Sequence, residues 1–342
     1  MAEQQGTMRS IRLEKEGTVD NLYTVEESVP SAQRGEVVVK VKASSLNFRD
    51  LAMLKTEYPG GMKPNLIPLS DGAGEVVEVG EGVRRFQVGD RVAGNFMKEW
   101  FGGRRRPTYT EPYGSHSDGW LTEYKVINPE LLVEVPDHLT FEQAATLPCA
   151  GVTAWNALHG PSPLMAGDTV LTLGTGGVSV YALQLAKELG INVISTTSSN
   201  EKAKKLKELG ADEVINYNET PNWGEKAKEL TGGVGVNRVV EVVGPATIQQ
   251  SLKAVAPGDE LSLIGVLSRT GDKIDYYDLF GSASTRTIGV GSRQDFENMN
   301  QVIADKKMQP IVDSAFPMEQ TGEAYKYLDS QKFFGKIAIS HE

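Results

Sequence analysis

The chain has 342 residues, room for about two domains of ordinary size, and its 39% hydrophobic and 23% charged content suits a globular protein. A net charge of −10 argues against nucleic acid or an anionic membrane surface as the main partner. One cysteine, Cys149, excludes an intrachain disulfide, and histidines at 116, 138, 159 and 341 give no spacing for a structural zinc.

The opening MAEQQGTMRS shows no apolar signal region, and no run approaches ~18 apolar residues, so a cytoplasmic protein without a membrane span is expected. The first ~145 residues read as a compact β module, with short runs at 36–41, 75–79 and 121–127 closely punctuated by glycine and proline. PLSDGAGEV, residues 68–76, sets a hydroxyl (Ser70) and a carboxylate (Asp71) side by side on a glycine turn that enters a strand. The section 95–120 is aromatic, glycine-rich and basic. It reads as a long surface lobe in which the Arg104–Arg106 run and His116 are solvated.

From about residue 150 strands and helices alternate. Continuous apolar runs at 169–173, 191–195, 213–217, 238–243 and 260–266 suit strands of a parallel sheet buried on both faces. Val178, Ala182, Leu185, Ala186 and Leu189 recur at helical spacing before Gly190, and a second helix over 201–209 ends at Gly210. The pattern is a doubly wound α/β sheet. A last helix (319–330) and strand (336–340) are expected to return to the first module. The expected boundaries are therefore 1–150, 151–289 and 290–342.

The most specific motif joins strand 169–173 to the helix after it through Gly174-Thr175-Gly176-Gly177-Val178-Ser179. Glycines there let backbone N–H groups approach a pyrophosphate at the helix N-terminus, and Ser179 stands in place of the usual third glycine. At the end of the second strand a carboxylate would mark NAD, but this chain has Thr197, Ser198 and Ser199, with Lys202 one turn on. Hydroxyls and an ammonium suit a 2′-phosphate, so NADP(H) is expected, with Ser199 also able to cap the helix. Tyr217, ending the next strand, joins the cofactor set. The glycines of 232–235 precede a strand and read as a helix stop and turn.

Taken together, SLNFRD (45–50), GAGEVVEVGEGV and FQVGDRV (within 69–91), AATLPCAGVTAWNA (144–157) and GTGGVS make the chain similar to the medium-chain dehydrogenase/reductase superfamily over nearly its whole length. The resemblance implies a GroES-like catalytic domain, a Rossmann domain, a nicotinamide in the cleft between them and a homodimer. It places Thr153 near the nicotinamide, Val243 and Gly244 near its ribose, and Gly265–Val266 beside the carboxamide. In the zinc-dependent branch, the positions of Asn47, Ser70 and Cys149 hold the metal. Only Cys149 is kept, so no metal is expected. The chain resembles the zinc-independent alcohol dehydrogenase-like and quinone oxidoreductase-like branch.

Without zinc, hydrogen-bond donors must stabilise charge on the substrate oxygen. Asn47 and Ser70 are the candidate donors, each alternatively a turn-former, and Asp50 is equally a structural residue. Arg49 and Asp71 are expected either to pair as buried ions or to serve separately, Arg49 toward solvent and Asp71 as a turn cap. Trp100, Trp120, Tyr58 and Phe48 are candidates for a substrate pocket or for the core. The expected function is reduction of an activated C=C bond of a small enone or quinone-like substrate. Metal-free alcohol/carbonyl interconversion and a cofactor-binding protein with little catalysis are the alternatives.

Overall fold

The computed structural model describes residues 6–341 other than 59, 107–110, 266, 269, 272, 273, 275, 281 and 282. It divides into two compact units, one comprising 1–152 and 291–342 and the other 153–290.

The first unit starts with a hairpin of β1 (Thr7–Leu13) and β2 (Leu22–Ser28). Its main sheet is built from β3 (Val37–Leu46), β4 (Asp71–Val79), β5 (Arg91–Gly94), β6 (Tyr124–Ile127) and β7 (Leu132–Glu134). Strand β3 runs five residues beyond the expected end of its apolar run, because it pairs with β4 from Val37 to Ser45. Strand β4 starts at Asp71 although glycine weakens strands. Close approach explains two of its glycines: a Cβ on Gly74 would lie 2.1 Å from the Lys40 carbonyl oxygen, and one on Gly72 2.6 Å from Trp120. Trp120 is fully buried among Val39, Val76, Val92 and Leu132, so it is a core residue and not a pocket wall.

The second unit carries one six-stranded parallel sheet: β8 (Thr169–Leu173), β9 (Asn192–Thr197), β10 (Glu213–Asn216), β11 (Val236–Glu241), β12 (Val255–Leu263) and β13 (Ser284–Thr287). The strand order is β10-β9-β8-β11-β12-β13, a doubly wound sheet whose order reverses beside β8. Val170, Leu171, Val239, Val240 and Leu261 have no exposed surface, as central parallel strands require. Helix Gly177–Glu188 is buried more widely than one stripe, through Val180, Tyr181, Leu183, Leu185 and Ala186, and Gly190 follows at φ 74°. Helix Asn200–Glu208 buries only Leu206 and is followed by Gly210 at φ 99°.

The chain then re-enters the first unit. β14 (Val312–Pro317) pairs with β15 (Lys336–Ser340), and β15 lies antiparallel to β3 with Ile337 opposite Leu46. This pairing brings Lys336 to the end of β3. Leu46, Leu51, Leu54, Leu69, Tyr325 and Ile337 share one core cluster beneath it. No helix among the described residues is long and apolar enough to cross a membrane.

Candidate active site

Strand β3 stops at Leu46, and Asn47 caps the helix Phe48–Leu54. The Asn47 N–H donates to Asp50 Oδ2 at 2.8 Å, which satisfies an N-terminal donor of that helix. The side-chain amide of Asn47 is held at both ends. Its Nδ2 donates to Asp71 Oδ2 at 2.9 Å, and its Oδ1 accepts from Lys336 Nζ at 2.6 Å. Lys336 also donates to the Leu46 carbonyl. Asp71 accepts from Ser70 Oγ at 2.9 Å and from the Cys149 N–H at 3.2 Å. Asn47, Ser70, Asp71 and Lys336 thus form one buried group, with the half-buried Cys149 against it through its N–H.

Backbone geometry aims this group. Leu69, just before Ser70, has φ 70°, a left-handed conformation that costs a non-glycine residue on the order of 1 kcal/mol. Gly114 and Gly119 press against it; a Cβ on Gly119 would lie 2.1 Å from the Leu69 carbonyl oxygen.

Arg49 and Asp71 do not pair, and Arg49 does not reach solvent. Arg49 is 7% exposed, with Nη1 donating to Asp50 Oδ1 at 3.3 Å and to the Tyr113 carbonyl at 3.1 Å. The helix cap explains the difference. It fixes Asp50 beside Arg49, while Asp71 turns to Asn47, Ser70 and the Cys149 N–H. Both oxygens of Asp50 are therefore engaged, Oδ2 by the Asn47 N–H and Oδ1 by Arg49. The rings of Tyr58 and Phe96 lie 5.2 and 5.3 Å from the Arg49 guanidinium carbon, a cation–π arrangement on each. Trp100 is buried, with Nε1 donating to the Gly103 carbonyl, Phe48 packs at the edge of the core cluster, and His116 is exposed.

Burial sets the protonation tendencies. It pushes Asp50 up to about 6 against the pull of Arg49, and it raises Asp71 against Lys336 and the bonds from Asn47 and Ser70. It also pushes the Cys149 thiol far up, with Asp71 adding to the effect, and it lowers Lys336 although Asp71, Cys149 and Asp50 favour the ammonium.

A catalytic zinc needs three protein ligands, and no three His, Cys, Asp or Glu side chains among the described residues come together to hold a metal. At this site Cys149 is the one good zinc ligand, Asn47 and Ser70 bring an amide and a hydroxyl, and Asp71 is already bonded to both and to the Cys149 N–H. The donor set does not fit zinc.

The second unit fits a dinucleotide. Gly174 adopts φ 72°, and Gly176 caps helix Gly177–Glu188 with no side-chain hydrogen bond to its N–H groups. A Cβ on Gly174 or Gly176 would meet no atom within 4 Å, so this turn is uncovered, with room for a pyrophosphate at the helix N-terminus, while the Gly174 N–H itself donates to the Thr196 carbonyl at 3.0 Å. Val178 follows Gly177 in that first turn. Ser179 does more than replace a glycine: it is buried, and its Oγ donates to the Leu173 carbonyl at 2.6 Å, tying helix to strand.

At the end of β9, Thr197 is buried and its Oγ1 accepts from the Ser199 N–H at 3.3 Å, while Ser198 is exposed. Ser199 Oγ caps helix Asn200–Glu208 by accepting from the Lys202 N–H, and Tyr217, 39% exposed, donates its N–H to the Thr197 carbonyl at 2.9 Å. The Val243 and Gly244 N–H groups both donate to Glu241 Oε1 at 2.9 Å. Gly265 is required by packing, since a Cβ there would lie 1.5 Å from the Val242 carbonyl oxygen. Thr153 is buried at the start of this unit, and Val266 lies outside the described residues.

Sequence reasoning missed two buried charges that shape these sites. Lys336, 3% exposed, opens an edge-paired strand, where lysine reads as solvent-facing. Glu241, 1% exposed, also accepts from Thr247 Oγ1 and Ser251 Oγ, and so fixes the turn at Val243–Gly244. Its only signal was a carboxylate ending an apolar strand.

Comparison with known proteins agrees with this architecture. Residues 33–137 match the model of the alcohol dehydrogenase GroES-like domain, and residues 177–305 that of the zinc-binding dehydrogenase. A zinc-type alcohol dehydrogenase-like protein of Schizosaccharomyces pombe is 42% identical over 94% of this chain and 95% of its own length. An acryloyl-coenzyme A reductase of Metallosphaera sedula is 30% identical (91% and 94% covered), and a quinone oxidoreductase of Pseudomonas aeruginosa 33% identical (90% and 86%). Among solved structures, an NAD-dependent alcohol dehydrogenase superposes with a TM-score of 0.91 at 30% identity, covering 98% of this chain and 100% of that one. A mycobacterial protein complexed with NADPH does so with 0.80 at 28%, covering 97% and 99%. By fold and by relatives, the chain belongs to the medium-chain dehydrogenase/reductase superfamily.

Proposed function

We propose that the protein is an NADP(H)-dependent, zinc-independent oxidoreductase that reduces the activated C=C bond of an enone or quinone-like substrate. The observation that carries this reading is the Asn47 amide, held between Lys336 at 2.6 Å and Asp71 at 2.9 Å. An ammonium on the amide oxygen draws electron density from the amide nitrogen and makes its second N–H a stronger donor. That is the role a metal would otherwise take toward a developing oxyanion.

When bound, a reduced nicotinamide supplies a hydride to the substrate carbon. Gly174, Gly176, Gly177 and Val178 would hold its pyrophosphate, and Thr197, Ser198, Ser199 and Lys202 the 2′-phosphate. Asn47 would receive the charge that appears on the substrate oxygen, and water the role of proton source. Ser70 is the weaker candidate donor, because its hydroxyl proton already goes to Asp71. The named activities of the quinone oxidoreductase and acryloyl-coenzyme A reductase relatives support C=C reduction, and the NADPH complex supports the cofactor.

Alcohol/carbonyl interconversion is the second reading, favoured by the alcohol dehydrogenase-like relative at 42% identity and by the NAD-dependent alcohol dehydrogenase structure. Cofactor oxidation over a panel of enones, quinones and aldehydes, with NADPH and NADH in parallel, separates the two. The proposal requires faster turnover of enones or quinones than aldehydes, and a loss of about 10²–10³ in kcat for Asn47→Ala. Aldehyde-only turnover, or an Asn47→Ala enzyme as fast as wild type, would sink it.

A further inference from the structure

The Arg49 guanidinium has one edge that meets no hydrogen-bond acceptor among the described residues. Its Nη1 is tied to Asp50 and the Tyr113 carbonyl, and the Tyr58 and Phe96 rings hold it further. These contacts fix its orientation. Nε and Nη2, by contrast, are buried and have no partner at hydrogen-bond geometry among the described residues, with the Tyr58 hydroxyl the one nearby group that favours the guanidinium without meeting that geometry. The Nε–H and Nη2–H bonds on that edge are parallel and coplanar, and together they form the fork that takes both oxygens of a carboxylate. Buried donors are rarely left unmet, and two on one charged group point to a bound acceptor.

The fork also lies close to the candidate chemistry. Arg49 is two residues from Asn47, and Asp50 accepts from both the Asn47 N–H and Arg49 Nη1. Asp50 and Tyr58 favour the charged guanidinium against the cost of burial. Tyr58 is half-buried and flanked by exposed residues 55–57 and 60, so on that side the arginine is one ring away from the surface.

We propose that Arg49 anchors a substrate carboxylate, so that the compound reduced is an α,β-unsaturated carboxylate. This deepens the C=C reductase reading and rests on it. The test uses the full chain. Calorimetric titration with 2-methylpropanoate and with the matching amide reads the fork without turnover, and NADPH consumption with 2-methylacrylate and its methyl ester reads it in catalysis.

Charge-assisted bonds of this kind correspond to about 10- to 100-fold in affinity, so wild type should prefer the acid to the amide by that factor. Arg49→Met should abolish the preference. Arg49→Lys should restore only part of it, because an ammonium is a point charge without the fork. Equal binding of acid and amide by wild type would mean that water alone fills the fork, and would overturn the proposal, as would an acid preference that survives Arg49→Met. If Arg49→Met fails to fold, the wild-type comparison and Arg49→Lys still decide. Turnover of neutral enones without an acid preference sinks the anchor and leaves the reductase reading standing. Arg49-dependent acid binding with no reduction of any unsaturated compound keeps the anchor and sinks the reductase reading.

Discussion

Replacing Lys336 by methionine tests whether the buried ammonium organises the site. Lys336 donates to the Leu46 carbonyl and to Asn47 Oδ1, and it offsets the charge of Asp71, which has no exposed surface. Breaking a buried charge arrangement by removing one member typically costs about 3–5 kcal/mol. The relief of not burying an ammonium is already part of that net figure. Urea denaturation should therefore show Lys336→Met destabilised by about 3 kcal/mol or more at neutral pH.

Asp71→Asn in the Lys336→Met background removes the carboxylate left unbalanced, so the double variant should be more stable than the sum of the single losses by about 1–2 kcal/mol. The pH dependence has a definite sign. Asp71 has a raised folded pKa, and losing Lys336 raises it further. The folded state then holds a proton that the unfolded chain has released, so the Lys336→Met penalty should shrink as pH falls toward the ordinary carboxyl range. Strictly additive single losses, or a penalty flat between pH 5 and 8, would refute the coupling.

Other consequences can be measured directly. Thr197→Asp with Lys202→Ala should shift the NADPH/NADH ratio of kcat/KM toward NADH by about tenfold or more, and an unchanged ratio would remove the 2′-phosphate assignment. Burial lowers His341 to about 4, and it is placed to accept from Ser44 Oγ while donating to the Thr122 carbonyl. Its contribution, up to about 3 kcal/mol, is complete above pH 6.5 and lost as pH falls from 6.5 toward 4; His341→Gln should flatten that part of the stability–pH curve. Gly74→Ala forces a Cβ to 2.1 Å from the Lys40 carbonyl oxygen and should cost about 3 kcal/mol in denaturant unfolding. Dialysis against a chelator should leave turnover and Tm unchanged, whereas near-stoichiometric zinc in freshly purified protein would overturn the zinc-independent proposal.

What was legible in the sequence was local. Thr169–Leu173 has the same limits in sequence and structure, because a continuous apolar run ending in glycine has one reading. Strand β4 was half-hidden, since Gly72 and Gly74 look like turn residues until Trp120 and Lys40 are placed against them. Trp120 itself sits between a glycine and a leucine with no periodic partner, so nothing nearby in the chain marks it as core. The two arginine–carboxylate pairings were not separable from residue types alone. Asp50 wins Arg49 because the cap holds it one residue away, and Asp71 is drawn off by Asn47. Lys336 was out of reach for the same reason, as its partner Asn47 lies 289 residues earlier.

These missed contacts explain how an amide can stand buried at this position. Four buried charges surround it: two cations, Arg49 and Lys336, and two carboxylates, Asp50 and Asp71. Each cation offsets a carboxylate, Arg49 directly at 3.3 Å and Lys336 through the Asn47 amide. Such a balanced group stays buried where a lone charge would neutralise itself. The same bonds prevent the amide from flipping, because reversal would set its NH2 against the ammonium and its oxygen against the carboxylate. Asn47 is therefore both oriented and polarised. The positive φ of Leu69 places Ser70 and Asp71 to complete that arrangement, which is a physical reason for backbone strain at this turn rather than elsewhere.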